Sequence, residues 1–229
     1  MSQYRDDLLS PLFVVFTSLF ITCLLISNII ACKIILVFGL TVPSSVILFP
    51  ITYIISDALT EVYGFERARL VVWLGFTANI FMVIIFMTAV YLPYPDFWKG
   101  QEAFKAVLGF TPRLVAASLP AYFLGQMSNA VVLSRMKVVF EGSPLWTRTI
   151  GSTMVGEGVD TLIFITVAFL GTVPLKVLGI MILGQYIWKV GYEALLTPLT
   201  YAVIRRIKKH EGIDTIDRGI SYNLLKWGK

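Results

Sequence analysis

The chain has 229 residues, 57% of them hydrophobic and only 14% charged, with a formal net charge of +5 and a mean hydropathy of +0.79. A soluble domain needs about 25% charged residues to cover its surface, so an ordinary soluble globule is excluded. The basic excess therefore reads as membrane topology, not as a nucleic-acid surface, and no nucleic-acid partner is expected.

A helix needs about 20 mainly apolar residues to cross a bilayer, and the sequence offers such runs repeatedly, without the alternating pattern of a membrane β-barrel. Helix one is predicted over 11–32. The run is too long for a typical signal-peptide core and no small-x-small cleavage site follows before Lys33, so it is expected to be retained. Cys23 and Cys32 share this helix. Nine residues of helix separate them by about 13 Å, too far for a disulfide between them. A turn through Phe38-Gly39-Leu40-Thr41-Val42-Pro43 leads to helix two, over 44–62. Helix three covers 70–91. The following segment, 92–111, is rich in Pro, Tyr, Phe and Trp98 and suits an interfacial loop. Helix four is expected at 114–133, helix five at 150–170 and helix six at 177–204, where Arg205-Arg206-Ile207-Lys208-Lys209 stops it. Residues 205–229 form a polar tail.

The fold class is thus an all-α integral membrane protein, a single transmembrane domain over 1–229 with about six transmembrane helices. Three helices per half, an odd number, would make two inverted repeats, a common transporter plan. Ser56-Asp57-x-x-Thr60-Glu61 on helix two and Glu157-x-x-Asp160-Thr161 on helix five echo one another, but two such short motifs leave the repeat open. With the N-terminus in the cytoplasm, Arg5, Arg67, Arg69, Arg135, Lys137, Arg148 and the cluster after helix six lie inside. Only Lys99, Lys105, Arg113 and Lys176 then lie outside. The positive-inside rule favours that orientation, with both termini cytoplasmic.

An ionisable residue at bilayer depth costs about 2.5–3.5 kcal/mol on insertion scales, so each calls for a partner or a purpose. Tyr53, Asp57 and Glu61 are spaced by four on helix two, and Gln185, Lys189 and Glu193 likewise on helix six. Helix five places Glu157, Asp160, Thr161 and Phe164 on one face; helix four adds Tyr122, Gln126 and Asn129, and helix one Asn28. Such stripes must face one another around an internal polar cavity. Bland readings stand beside this one. Glu61 lies near a helix end and can reach water, and Lys33 can snorkel. Lys189 and Glu193 can form an intrahelical pair that touches no ligand, and the amides can be interhelical glue. Gly125, Gly151, Gly156, Gly158, Gly184 and Gly191 can serve ordinary packing, and Pro198 permits a kink. Asp57, Glu157 and Asp160 are harder to dismiss, because the acids outnumber the bases at that depth.

The run Phe49-Pro50-Ile51-Thr52-Tyr53-Ile54-Ile55-Ser56-Asp57-Ala58-Leu59-Thr60-Glu61-Val62-Tyr63-Gly64 resembles the signature of the queuosine precursor transporters, also grouped as vitamin uptake transporters. Four further stretches resemble that family in the same order: Ser27 to Lys33, Gly125 to Asn129, Arg148 to Ser152 continuing through Gly156 to Thr161, and Lys189 to Glu193 through Thr197-Pro198. The resemblance covers nearly the whole chain and implies import of 7-deazaguanine bases, cyano- or aminomethyl-substituted, across the bacterial inner membrane. Positions 126 and 157 vary between acid and amide in that family, so ionisation of Gln126's counterpart or of Glu157 is not implied. The substrate-binding candidates are Asn28, Tyr53, Asp57, Glu61, Tyr122, Gln126, Asn129, Glu157, Asp160, Thr161, Lys189 and Glu193. A carboxylate accepts both N–H donors of the base edge in a fork, an amide meets its carbonyl, and Tyr53, Tyr122 or Phe164 stacks on the ring.

Other readings remain. The chain could be the substrate-binding subunit of an ATP-driven importer, although it has no Walker motif, so an ATPase module would come from a partner. It could be an intramembrane acid–base enzyme using Glu157 and Asp160. Against that, it has no nucleophile-elbow motif and no H-E-x-x-H, and its single histidine, His210, lies in the tail. A structural scaffold fits the buried acids least. No cofactor or metal is expected; the lipid bilayer and a small planar solute are the expected partners, and a homodimer is left open.

Overall fold

Ser10 opens the first helix, its hydroxyl accepting the Phe13 N–H at 3.0 Å, with Pro11 at the first helical position. This is the start of a computed structural model that describes residues 10–37, 40–109, 112–140 and 144–226; Arg5, Phe38, Gly39 and Thr111 lie outside the described residues. Helix α1 spans Pro11–Ile30. Where a plain turn was expected, strands β1 (Ile34–Val37) and β2 (Leu40–Pro43) pair antiparallel, with Ile34 opposite Pro43. Ile34, Ile35 and Val37 on one arm and Thr41 and Val42 on the other favour paired strands over an open loop. A 3-10 turn, Ser44–Ile47, precedes α2 (Phe49–Tyr63), so predicted helix two is divided, with Pro50 in the first turn of the α-helical part. Its 15 residues rise only about 22 Å, short of a hydrocarbon core of about 30 Å.

Gly64 joins α2 to α3 (Phe65–Tyr91) without a loop. Its φ of 84° and ψ of 169° belong to a region open in practice only to glycine. Helix α3 therefore starts five residues before the predicted 70, and Arg67 and Arg69 lie inside it. The segment predicted as loop holds a short helix, α4 (Gln101–Leu108), none of whose residues is buried. Helix α5 (Pro112–Val139) continues through Pro120, and α6 spans Leu145–Phe169. Helix α7 (Leu175–Glu211) passes Pro198 and then the basic cluster expected to end it, stopping at Gly212, which has φ 67°. Charge ends a membrane span but not a helix: Arg and Lys form helices well and suit a helix C-terminus.

Among the described residues, α1, α3, the stretch holding α4 and α5, and α6 are long and apolar enough to cross a membrane. Helix α2 is too short by itself, and α7 carries Lys189 and Glu193 at depth. Apart from the small hairpin, the protein is an all-α membrane bundle. Its surface is reversed relative to a soluble domain: Phe81, Leu183 and Leu195 are exposed, whereas Glu61, Thr161 and Glu193 are buried. Helix α5 packs on α6, α6 on α7, α7 on α2, and α3 on α5.

One end of the bundle gathers the basic residues. Arg67 lies over the Phe13 and Tyr63 rings, and Arg135 lies 4.7 Å from the centre of the Tyr222 ring. The segment after α7, read from sequence as a polar tail, folds back across this end. Asp217 accepts the Phe65 N–H at 2.8 Å and the Ser134 hydroxyl at 2.6 Å. Arg69 donates to the Asn223 carbonyl at 2.9 Å, and Trp73 Nε1 to the Leu224 carbonyl at 2.9 Å. At the other end Arg113 donates to the carbonyls of Val167 and Leu170, satisfying the last turn of α6.

Candidate functional site

Two glycines set the site by letting α5 and α6 touch backbone to backbone. A methyl group on Gly156 would lie 2.7 Å from Asn129 Cβ and 3.0 Å from the Gly125 carbonyl oxygen. One on Gly125 would lie 2.7 Å from Asp160 Cβ. Beside this crossing, α2 closes a polar cavity lined by Tyr53, Ser56, Asp57, Gly125, Gln126, Asn129, Thr153, Gly156 and Glu157. The space open to the centre of a water-sized sphere is about 10 Å³, room for about one water molecule. The helices are thus closed on one another here.

Asp57 is almost wholly buried. Asn129 Nδ2 donates to its Oδ1 at 3.1 Å, while Asp57 Oδ2 and Asn129 Oδ1 have no hydrogen-bond partner. Ser56 donates to Gln126 Oε1 at 2.9 Å, and the Tyr53 hydroxyl bonds to Glu157. The expected Lys189–Glu193 pair is not formed. Lys189 instead reaches across to α6, where its ammonium lies 2.7 Å from Glu157 Oε2 and against Asp160 Oδ2. Spacing by four permits an intrahelical pair worth only a few tenths of a kcal/mol; two carboxylates on the facing helix offer the ammonium more. Glu193, 1% exposed, is left with no hydrogen-bond partner on either carboxyl oxygen. Thr161 is buried one turn beyond Glu157 with its hydroxyl unpartnered.

Glu61 does not reach water. It is fully buried at the basic end, where Arg148 Nη2 lies at 2.7 Å, Lys208 Nζ at 2.8 Å and Lys137 Nζ at 3.6 Å. Lys137 and Lys208 also hold Asp214 of the folded-back tail. Burial pushes the Asp214 carboxyl up, but the hydrogen bonds and charges of these two lysines outweigh it and hold it below the usual carboxylate range. Asn28 bonds Asn79 of α3 at 2.6 Å, outside the cavity lining. Tyr122 packs over Gly75 and its hydroxyl has no hydrogen-bond partner. Phe164 packs edge-on against Phe169. Lys33 is exposed.

The structure thus brings Tyr53, Asp57, Gln126, Asn129 and Glu157 to one cavity and sets Asp160, Lys189 and Glu193 around it. It places Asn28 and Glu61 elsewhere. Sequence reasoning missed Ser56, Thr153 and Asn79. Short hydroxyls in helices bond readily to their own backbone, so nothing marked Ser56 or Thr153. A lone amide in the apolar run of α3 was the available signal for Asn79.

Buried acids beside a closed polar cavity in a membrane bundle, with one Asp57 oxygen and both Glu193 oxygens unpartnered, are the arrangement expected of a membrane transporter. The chain belongs to the family described as "Putative vitamin uptake transporter", whose match covers residues 43–203. It is 30% identical over 186 residues to the "Probable queuosine precursor transporter" of Bacillus subtilis (strain 168), a match covering 81% of either chain. It is 29% identical over 121 residues to the "Queuosine precursor transporter" of Escherichia coli (strain K12), covering 53% of this chain and 52% of that one. No solved structure matches the chain.

Proposed function

We propose that this transporter carries 7-deazaguanine precursors of queuosine inward across a bacterial inner membrane, with Asp57 holding the hydrogen-bonding edge of the base. The observation that carries the reading is the pair of bare oxygens, Asp57 Oδ2 and Asn129 Oδ1, on adjacent residues of one buried cavity. The deazaguanine edge presents neighbouring N–H donors that such acceptors match. Gln126 is placed to meet the base carbonyl, and Tyr53 to flank the ring. The names of the two relatives support the same cargo, and both are named transporters and not enzymes.

A bicyclic base does not fit a space for one water molecule, so α2 must part from the α5–α6 pair to admit it. Opening toward one side and then the other is alternating access. The basic end faces the cytoplasm in this reading, which places residue 10 and the folded-back tail inside. Cysteines introduced in 96–105 and in 218–226 should label from opposite sides; labelling from the same side would overturn the topology.

The central experiment is reconstitution of the purified chain alone, measuring exchange of labelled deazaguanine against unlabelled base. Exchange without ATP is expected. Exchange only with a co-purified ATPase would make the chain a binding subunit, and chemical conversion of the base would make it an enzyme.

A further inference from the structure

Two buried glutamates of this bundle are treated oppositely. Glu61, fully buried, lies within 4 Å of three cations, Arg148, Lys208 and Lys137. Glu193, equally buried, has no hydrogen-bond partner on either carboxyl oxygen. The fold can therefore supply cations to a buried acid and does not do so for Glu193. Among the described residues, the charges that act on it from the helices packed against α7 are both acidic, Asp57 of α2 and Glu157 of α6, and the Tyr53 phenol of α2 also lies near it. On α7 itself Lys189 is already held by Glu157 and Asp160. Asp57 Oδ2 is bare as well.

An ionised carboxylate without a partner at bilayer depth is opposed by both desolvation and the neighbouring acids. A divalent cation would need about six or more oxygen ligands, and among the described residues no group of three or more His, Cys, Asp or Glu is placed to hold one. A proton needs no such set of ligands. We propose that Glu193 carries the coupling proton of this transporter: it takes a proton from the outer side while the cavity opens outward and gives it to water on the inner side when the cavity opens inward. The proposal rests on the transport reading above and names its energy source. One proton moves down its gradient for each base carried, and no bond other than the carboxyl O–H is made or broken.

The test uses the full chain in proteoliposomes with labelled deazaguanine. Exchange at equal pH examines the transport reading alone, so its failure is distinct from failure of the coupling proposal. For one proton per base, an inward proton gradient of one pH unit concentrates the base about tenfold. Wild-type protein should show this ratio, and an inward sodium gradient at equal pH should not produce it. In Glu193→Gln the ratio of uptake with and without the proton gradient should fall to about one. Glu193→Asp, which keeps an acid, should restore part of it. If Glu193→Gln carries nothing or does not insert, infrared difference spectra of wild-type protein on binding the base decide. A neutral carboxyl band that shifts in Glu193→Asp supports the proposal. Its absence, a gradient ratio unchanged in Glu193→Gln, or accumulation driven by sodium overturns it.

Discussion

Lys189 of α7 pairs with Glu157 of α6, its ammonium 2.7 Å from Oε2, and not with Glu193 one turn along its own helix. The pair staples two helices beside the cavity, and Asp160 shares the same ammonium. Removing one partner of a buried pair costs about 3–5 kcal/mol because the other charge is left alone. Lys189→Met should therefore lower the melting temperature in detergent strongly, and adding Glu157→Gln should recover part of the loss. Adding Glu193→Gln in place of Glu157→Gln should recover less. Equal recovery by both would restore the intrahelical pairing that the spacing alone proposed.

Asp57 has one oxygen on Asn129 and one bare. If that oxygen receives the base, Asp57→Asn puts a donor where an acceptor is needed and leaves ligand donors unpaired, at a cost of about 2–5 kcal/mol, or about 30-fold or more in affinity. Deazaguanine titration of folded, membrane-inserted Asp57→Asn measures it. Wild-type affinity in that variant would move the base-binding role to the amides of α5.

Gly156 has no space for a side chain, with Asn129 Cβ at 2.7 Å from where its own Cβ would lie. Gly156→Ala should cost about 1–3 kcal/mol through overpacking, and by displacing Asn129 it should weaken base binding too. Gly184, with nothing within 4 Å of its added Cβ, is the control: Gly184→Ala should leave both the melting temperature and binding near wild type.

Asp217 ties the tail to the start of α3 and to α5. Asp217→Ala leaves the buried Phe65 N–H without its acceptor, a loss of about 1–3 kcal/mol. Limited proteolysis should then cut within 213–226, which should be protected in the wild type. Gly64→Ala should act in the same direction. Its Cβ would lie 2.7 Å from Asp217 Oδ1, at a φ of 84° that alanine rarely adopts. An uncut tail in both variants would mean that Asp217 does not hold it.

Asp214 gives the tail a pH response with a definite sign. Its folded-state affinity for protons is depressed by Lys137 and Lys208, so the folded chain binds fewer protons than the unfolded one in the acid range. Its stabilisation is complete above the unfolded value of about 3.9 and is lost as pH falls through the lower folded value. Protection of 212–218 against hydrogen exchange, taken relative to the intrinsic amide rate at each pH, should fall on acidification below about pH 4. In Asp214→Asn that protection should be low already at neutral pH and change less with acid. Wild-type protection independent of pH across that window would show that Asp214 does not secure the tail.

The sequence by itself determined the class of this protein, because apolar run length and charge depletion report directly on the solvent a helix meets. It also placed Asp57, Gln126, Asn129 and Glu157 as interior residues, since a polar stripe on an apolar helix has only the bundle centre to face. Helix limits were less legible. A basic cluster ends a membrane span without ending the helix, so α7 reached Gly212, while Pro50 and a short hairpin shortened α2. The tertiary structure alone decided who meets whom. Spacing by four made Lys189–Glu193 and Asp57–Glu61 look alike as faces, yet helix packing gave Lys189 to Glu157 and Asp160. It also gave Glu61 three cations and left Glu193 with none. Distances between helices depend on where glycines such as Gly125 and Gly156 let backbones touch, and no periodicity within a single helix encodes that contact.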